Sequence, residues 1–380
     1  MPDALSATVV TDLDALEKVA PGWDALAVRC RRPRSAPAFS LAWYRHALAP
    51  GAHIRVVVVT DGDEVVGVAP FYALRTTFGF YQYNLAVPIL FGVEPLVSPD
   101  REQEVASAMG HALAQTKPVP DLVFVDSLPA GSLLPAHMQQ GWPHPDPVLV
   151  SPHSFPWSRI ELGDGGFEGF LNGRSSHFRK HFRSSYRKLV AAGFERRTWS
   201  DSDGISERVP DFRRLYEARR EGRDGNGPPF DDAFAAVVVD AADRLSGTGR
   251  FRMVTIERPG EIIAAVLVVR AGGVASAWYM GFDDTWADLS PSFVSVVLCI
   301  EDAAEVGDTT FDLGAGAYNH KNRLTSDAPI FESSLLVRRG LFPFHTPAQL
   351  LPFGARQSVG RALGRMKQLP KSVAAKAGIV

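Results

Sequence analysis

The sequence predicts an α/β protein made of two tandem copies of one unit, and three observations carry that reading. Residues 54–72, "IRVVVVTDGDEVVGVAPFY", read as two β-rich runs joined by an Asp-Gly turn, a strong hairpin signal. Residues 251–273, "FRMVTIERPGEIIAAVLVVRAGG", repeat the scheme with a Pro-Gly turn. Each hairpin is then followed by a capped helix and a buried strand. In the first half these are "SPDREQEVASAMGHALAQT" and "PDLVFVDSL"; in the second, "SPSFVSVVLCIEDAAEVG" and "DTTFDLGAG". Both helices open with Ser-Pro, where Ser can cap and Pro suits the first helical position.

The chain has 380 residues, 46% apolar and 22% charged, enough for each half to bury a core of its own. Its formal net charge of −2 opposes a general attraction to nucleic acid or membrane, so such a partner would have to meet a local patch. Cys30 and Cys299 form neither a disulfide framework nor a metal-spaced set, and lone cysteines fit a reducing cytoplasm. The opening "MPDALSATVVTDLDALEKVA" carries acids where a signal peptide carries lysines, and the longest apolar runs are strand-sized. A cytoplasmic protein without a membrane span is expected.

The join between the copies is placed near residues 141–166, "GWPHPDPVLVSPHSFPWSRIELGDGG", a stretch read as a proline- and glycine-rich loop. His137, His144 and His153 fall in or beside it at a spacing that matches no metal template, and no metal is expected. This divides the chain into an N-terminal lobe (1–155), a C-terminal lobe (156–345) and a basic C-terminal helix and tail (346–380). The tail shows a short helical pattern at Val359, Leu363 and Met366.

Residues 173–189, "GRSSHFRKHFRSSYRKL", hold six Arg/Lys and two His with no acid. Phe178, Phe182, Ser185 and Leu189 recur at helical spacing, which predicts a core-facing stripe bordered by charge. Gly193 suits the helix C-cap. The charge has two readings: a solvated flank, or an electropositive surface for phosphate groups. Arg179 and Arg183, one turn apart, suit the second. There is no P-loop, no G-x-S-x-G elbow and no H-E-x-x-H, so kinase and hydrolase chemistry has no residues to stand on. "FDLGAG" resembles the first motif of S-adenosylmethionine methyltransferases, but Tyr318 occupies its third glycine position.

The second half runs hairpin, strand "VASAWYMGF", loop "DDTWADL", helix from Ser290, strand "TTFDLG". That order resembles the core of the GNAT acyltransferase fold. More closely, the chain resembles two-lobed GNAT proteins of the CelD-like (cellulose-biosynthesis acetyltransferase) type, which are related to Fem-type aminoacyl transferases. The likeness lies in "PAFSLAWYRHAL", "GVAPFYALR", "KLVAAGF", "FRRLYEARR", "YMGFDDTWADLSPSFVSVVLCIEDA" and "FDLGAGAYNHKNRL", across most of residues 35–340.

The resemblance implies two GNAT-like lobes, each a mostly antiparallel mixed sheet flanked by helices. It implies an N-acyltransferase that moves an acyl group, typically acetyl, from acyl-CoA directly to an amine of a small or carbohydrate-linked acceptor. The CoA pyrophosphate would sit at the helix start Ser290, Pro291 and Ser292, where free N–H groups and the helix dipole favour an anion. Arg179, Arg183 and Lys321 would assist. Catalytic candidates are Asp312, His320, Tyr318 and Tyr279; substrate-binding candidates are Asp283, Gly314 and Gly316. The first lobe would be structural or would line a cleft.

Two departures stand out. Ser292 replaces the glycine usual in the family, and His320 stands where a tyrosine commonly precedes the lysine, bringing a group that titrates near neutrality. Two alternatives stay open. One is a Fem-like transferase fed by aminoacyl-tRNA, with the basic helix and tail on the RNA. The other is a catalytically silent GNAT-like binding protein. The sequence fixes no oligomeric state.

Overall fold

The computed structural model describes residues 5–76, 79–87, 92–143, 147–221, 228–316 and 319–339. The first half runs β1 (Ser6–Val10), α1 (Leu13–Arg29), a 3₁₀ turn (Pro33–Ser35), α2 (Pro37–His46), β2 (His53–Asp61) and β3 (Glu64–Arg75). It continues with β4 (Tyr81–Leu85), β5 (Leu96–Val97), a 3₁₀ turn (Pro99–Arg101), α3 (Glu102–Gln115), β6 (Leu122–Pro129) and α4 (Leu134–Gln140). Next come β7 (Val148–Glu161), α5 (Gly166–Asn172), α6 (Ser176–Ala191), β8 (Glu195–Trp199), α7 (Ser202–Glu221) and α8 (Asp232–Arg244). The chain then forms β9 (Phe251–Arg258), β10 (Glu261–Ala271), β11 (Val274–Phe282), a 3₁₀ turn (Asp284–Leu289) and α9 (Pro291–Glu305). It closes with β12 (Thr310–Ala315), α10 (Asn319–Asn322) and β13 (Ile330–Val337). The tail from residue 346, with Val359, Leu363 and Met366, lies outside the described residues.

The duplication is visible in the strand pairing. Hairpins β2–β3 and β9–β10 each accept a third antiparallel strand, β4 and β11. A helix, α3 or α9, then returns the chain to a strand parallel to the third: β4 pairs β6, and β11 pairs β12. Parallel neighbours need such a crossover, which is why a helix is obligatory at that point in both halves.

The two sheets are continuous. Among the described residues the strand order is β1-β2-β3-β4-β6-β13-β7-β12-β11-β10-β9-β8, with β5 on β3. The join expected to be a loop is mostly strand: Val148–Pro156 of β7 pairs β13, and Trp157–Glu161 pairs β12. The prolines that suggested a loop sit where pairing is already broken. A register shift between Val150 and His153 absorbs Pro152, and Pro156 stands where β7 passes from one partner strand to the other. Residue 155 lies inside this strand, and β13 pairs β6 of the first half.

One apolar core runs across both halves, from α1 and α2 to α7, α8 and β9. Phe39 of α2 lies 5.3 Å from the Trp278 ring and 5.9 Å from Phe251. The opposite face of β9–β12 is covered by α5, α6 and α9. As its spacing predicted, α6 buries Phe178, Phe182, Ser185 and Leu189. Ser175 caps it by accepting from the Phe178 N–H at 3.2 Å, and Gly193 follows at φ +85°.

The contact of α3 with α4 depends on the absence of a side chain at Gly110, where a Cβ would lie 1.8 Å from the Met138 carbonyl oxygen. Gly110→Ala is therefore expected to lower stability by roughly 1–3 kcal/mol, read as a fall in the denaturation midpoint at constant slope.

Candidate active site

The strands β11 and β12 form a fork. They pair only through Val274–Ser276 against Thr310–Asp312, after which β12 turns toward β7. Among the described residues the stretch Ala277–Phe282 thus has no partner strand on that side, and its Ala277 and Met280 carbonyls accept instead from Arg34 and Arg219. A bulge sharpens the local geometry. Val266 faces Met280 and Val268 faces Ala277, so Trp278 and Tyr279 together oppose Leu267. Both rings enter the core shared by the halves, while Ala277 and Met280 pack on the α9 side.

Asp312 stands where the strands part. Its Oδ1 accepts from Trp157 Nε1 at 2.7 Å and from the Gly314 N–H at 2.6 Å; its Oδ2 accepts from Ser276 Oγ at 3.1 Å. Arg34 reaches it from the first half, with Nη2 3.8 Å from Oδ2. The same nitrogen donates to the Ala277 carbonyl at 2.8 Å, and the guanidinium lies 5.2 Å from the Trp157 ring centroid. Arg34 is only 5% exposed. Gly314 has φ +77°, and a Cβ there would meet Arg34 Nη2 at 3.2 Å, so turn and close approach both require glycine. The group approaching it is Arg34.

Two further titratable groups border Arg34. Glu94, 8% exposed, accepts from Arg32 Nε at 2.6 Å. Burial pushes its carboxyl up to about 7, opposed by Arg32 and reinforced by the charge of Asp312. Lys321 Nζ donates to the carbonyls of Gly314 at 3.0 Å and Ala315 at 2.6 Å. Burial, then the positive charge of Arg34, lowers its ammonium to about 8.

The start of α9 lies on the other side of the fork. Ser290 holds the N-cap position and Pro291 the first helical one, as expected, but Ser290 adopts a left-handed backbone at φ 54°. Among the described residues no side chain caps the first turn, so the expected serine cap is not made. The N-terminal Ser-Pro of the first half also fails to cap: Ser98 Oγ donates to Asp100 instead. Ser292 and Phe293 lie in the first turn of α9. Phe293 is stacked 4.8 Å from His181 of α6, and the Arg323 guanidinium lies 5.1 Å from the Phe293 ring centroid. Burial, then the charges of Arg323, His177 and Lys188, holds the His181 imidazole below its ordinary value.

The sequence candidates are therefore distributed. Asp312, Gly314 and Lys321 meet at the fork. Gly316, at φ +91°, donates its N–H to the Pro156 carbonyl at 2.8 Å. Tyr279 packs edge-on to Tyr216 at 5.4 Å and Phe234 at 5.1 Å, and burial pushes its phenol far above the ordinary range. Asp283 caps the 3₁₀ turn, accepting from the N–H of Thr285 at 2.9 Å and its Oγ1 at 2.7 Å. Arg179 folds back to the carbonyls of Arg174 at 2.5 Å and Asn172 at 3.3 Å, while Arg183 is exposed on the next turn. His320 belongs to α10, and Tyr318 lies outside the described residues.

Sequence reasoning missed Arg34, Glu94, Trp157 and Ser276. The cluster "RCRRPR" at residues 29–34 was a visible signal, but its target lies in the other half. Among the described residues no group of three or more His, Cys, Asp or Glu is placed to hold a metal. No described helix is long and apolar enough to cross a membrane.

Residues 176–322 match a family model described as an acetyltransferase (GNAT) domain. That segment contains α6, the fork and α9. Across most of the chain the fold is similar to the crystal structure of FemX, with TM-score 0.62 and 11% identity over 90% of this chain and 99% of the other. It is also similar to the C-terminal domain of a putative lysylphosphatidylglycerol synthetase from Agrobacterium fabrum, with TM-score 0.55 and 9% identity over 86% and 93% of the two chains. A conserved protein of unknown function from Bacteroides thetaiotaomicron gives TM-score 0.54 and 9% identity over 88% and 100%. No curated protein matches the sequence. The fold is thus mixed α/β, with a GNAT acetyltransferase-domain match over residues 176–322.

Proposed function

We propose that the chain is a cytoplasmic, two-lobed N-acyltransferase of the CelD-like GNAT type, moving an acyl group such as acetyl from acyl-CoA to a small or carbohydrate-linked amine. The coincidence of the GNAT match over 176–322 with the fork and the uncapped start of α9 carries this reading.

The residues present fit such a donor. An uncapped helix start suits a pyrophosphate, since its N–H groups and dipole favour an anion. Arg323, whose guanidinium lies 5.1 Å from the Phe293 ring centroid, and the exposed Arg183 of α6 add to that field. The edge of β11 beyond Ser276, which no described strand pairs on the β12 side, would offer its remaining backbone groups to an amide-bearing arm. When bound, acyl-CoA would supply an activated thioester. The chain would hold it, neutralise charge developing on the carbonyl oxygen and accept the proton of the attacking amine. We assign Asp312, whose oxygens already accept three donors, to positioning Trp157 and Arg34. His320 as base and Tyr318 as acid follow from the family resemblance.

The likeness to FemX favours one second reading, a transferase that takes its acyl group from aminoacyl-tRNA. Thermal unfolding with CoA, acetyl-CoA and bulk tRNA, each across a salt series, separates the two. A ligand at a hundred times its Kd stabilises by about 2.7 kcal/mol, which raises Tm by roughly 2–4 °C for a chain of this size. A shift with CoA supports the acyl-CoA enzyme. A salt-sensitive shift with tRNA alone supports the second reading, because RNA affinity falls steeply with salt. Arg183→Glu is expected to weaken CoA binding about three- to tenfold at low salt and less at high salt. Unchanged affinity, measured by titration calorimetry, would remove α6 from the phosphate surface.

A further inference from the structure

A second concavity lies away from the fork. The edge strand β8, the first half of α7 and the β9–β10 hairpin enclose a groove of about 470 Å³. It shares no residue with the fork or with the start of α9. Five carboxylates line it: Glu195, Glu207, Asp211, Glu257 and Glu261. Three guanidiniums accompany them, and each makes its shortest ion pair with a carboxylate other than Glu257. Arg197 lies 2.7 Å from Glu195, Arg208 3.3 Å from Glu207 and Arg258 2.6 Å from Glu261. Asp211 has Arg214 at 3.2 Å.

Glu257 is placed differently. It is 9% exposed, and its Oε2 accepts from Thr255 Oγ1 at 2.6 Å and Trp199 Nε1 at 3.3 Å. Its Oε1 takes no hydrogen bond from any described residue. Arg197 Nε stands 3.6 Å from that oxygen, beyond hydrogen-bond reach. Glu257 also sits directly opposite Glu195 in the β8–β9 pair, where like charges destabilise a sheet. A buried carboxylate set against a second one forgoes stability unless a cation comes between them, and local conflicts of this kind mark functional positions.

On the α7 wall, Glu207 and Asp211 are one turn apart and share a side of the helix. The acids therefore form two pairs spread around the groove rather than one converging set. Among the described residues no group of three or more His, Cys, Asp or Glu is placed to hold a metal. An extended organic cation suits that spread better than an ion that needs several ligands at one point.

We propose that this groove binds a small organic dication of the diammonium type. One ammonium meets Glu257 and Glu195, and the other meets Glu207 and Asp211. An ammonium carries three donors and ionised carboxylates only accept, so Glu257 Oε1 would gain the partner it lacks. Charge-assisted bonds of this sort are about twice as strong as neutral ones.

Titration calorimetry on the full chain at low salt tests this with putrescine, butylamine and butanediol. Putrescine is expected to bind about tenfold tighter than butylamine or better, and butanediol not at all. Glu257→Gln is expected to weaken putrescine about tenfold and Glu195→Gln about threefold. The second variant lies on an exposed strand edge and keeps the test alive if the first does not fold. No binding of putrescine, or no preference over butylamine, overturns the site. Unchanged affinity in every variant that folds also overturns it, because the amine is then held elsewhere. Displacement of putrescine by an equal concentration of Mg²⁺ would make this a metal site and sink the organic-cation assignment.

Discussion

Asp312→Ala is expected to destabilise the chain by about 3–5 kcal/mol, the range for removing one partner of a buried charged network. Three donors lose their acceptor: Trp157 Nε1, Ser276 Oγ and the Gly314 N–H. Arg34, 5% exposed, loses the Asp312 carboxylate oxygen 3.8 Å from its Nη2. These groups come from β7, β11, β12 and the first half, so the loss loosens the meeting of the sheets. Asp312→Asn keeps one carbonyl oxygen and much of the shape, and should cost clearly less. Urea denaturation of both variants checks this. If each unfolds within about 1 kcal/mol of the wild type, Asp312 is not the hub described here.

The second large effect is a pH dependence. The Glu94 carboxyl is raised from 4.5 to about 7, so folding favours its protonated form. Its contribution to stability is fully present below pH 4.5 and is lost as pH rises to about 7, amounting to about 3 kcal/mol. Lys321 runs the other way: lowered from 10.5 to about 8, its contribution is present above pH 10.5 and lost as pH falls through 8. Between 7 and 8 both groups carry much of their charge, at the greatest cost to the fold.

Glu94→Gln keeps an acceptor for Arg32 and removes the titration. Its unfolding free energy is expected to fall less steeply than the wild type's between pH 4.5 and 7. At pH 7.5 it should equal or exceed the wild type. Parallel curves for the two proteins across that window would sink the assignment.

Much of the fold was legible because it is written locally. The hairpins follow from turn chemistry and β-rich runs, and both appear where expected. The α6 stripe of Phe178, Phe182, Ser185 and Leu189 follows from 3.6-residue periodicity and is buried. The grouping of some candidate residues was legible as well. Asp312, Gly314 and Lys321 were named from one short stretch and do meet, because a strand end and the loop after it stay together whatever surrounds them.

The remainder depended on distant partners. Proline content argued for a loop at 141–166, yet β7 forms because β13 and β12 supply partners for the segments on either side of Pro156. Ser-Pro predicted a side-chain cap, but Ser290 takes a left-handed backbone to turn the chain from the 3₁₀ segment into α9, and its hydroxyl makes no cap. Tyr279 read as a catalytic candidate at a strand end; the bulge opposite Leu267 turns it into the aromatic core.

By itself the sequence determined the repeated unit, the helix that carries the positive charge and the strand end that carries Asp312, all products of spacing and turn residues within a few positions. Only the tertiary structure decided that one sheet runs through both halves and that Arg34 closes the fork of the other half. Arg34 and Asp312 are brought together by strand pairing and core burial between segments far apart in the chain, and no local pattern encodes which distant partner a buried guanidinium will meet.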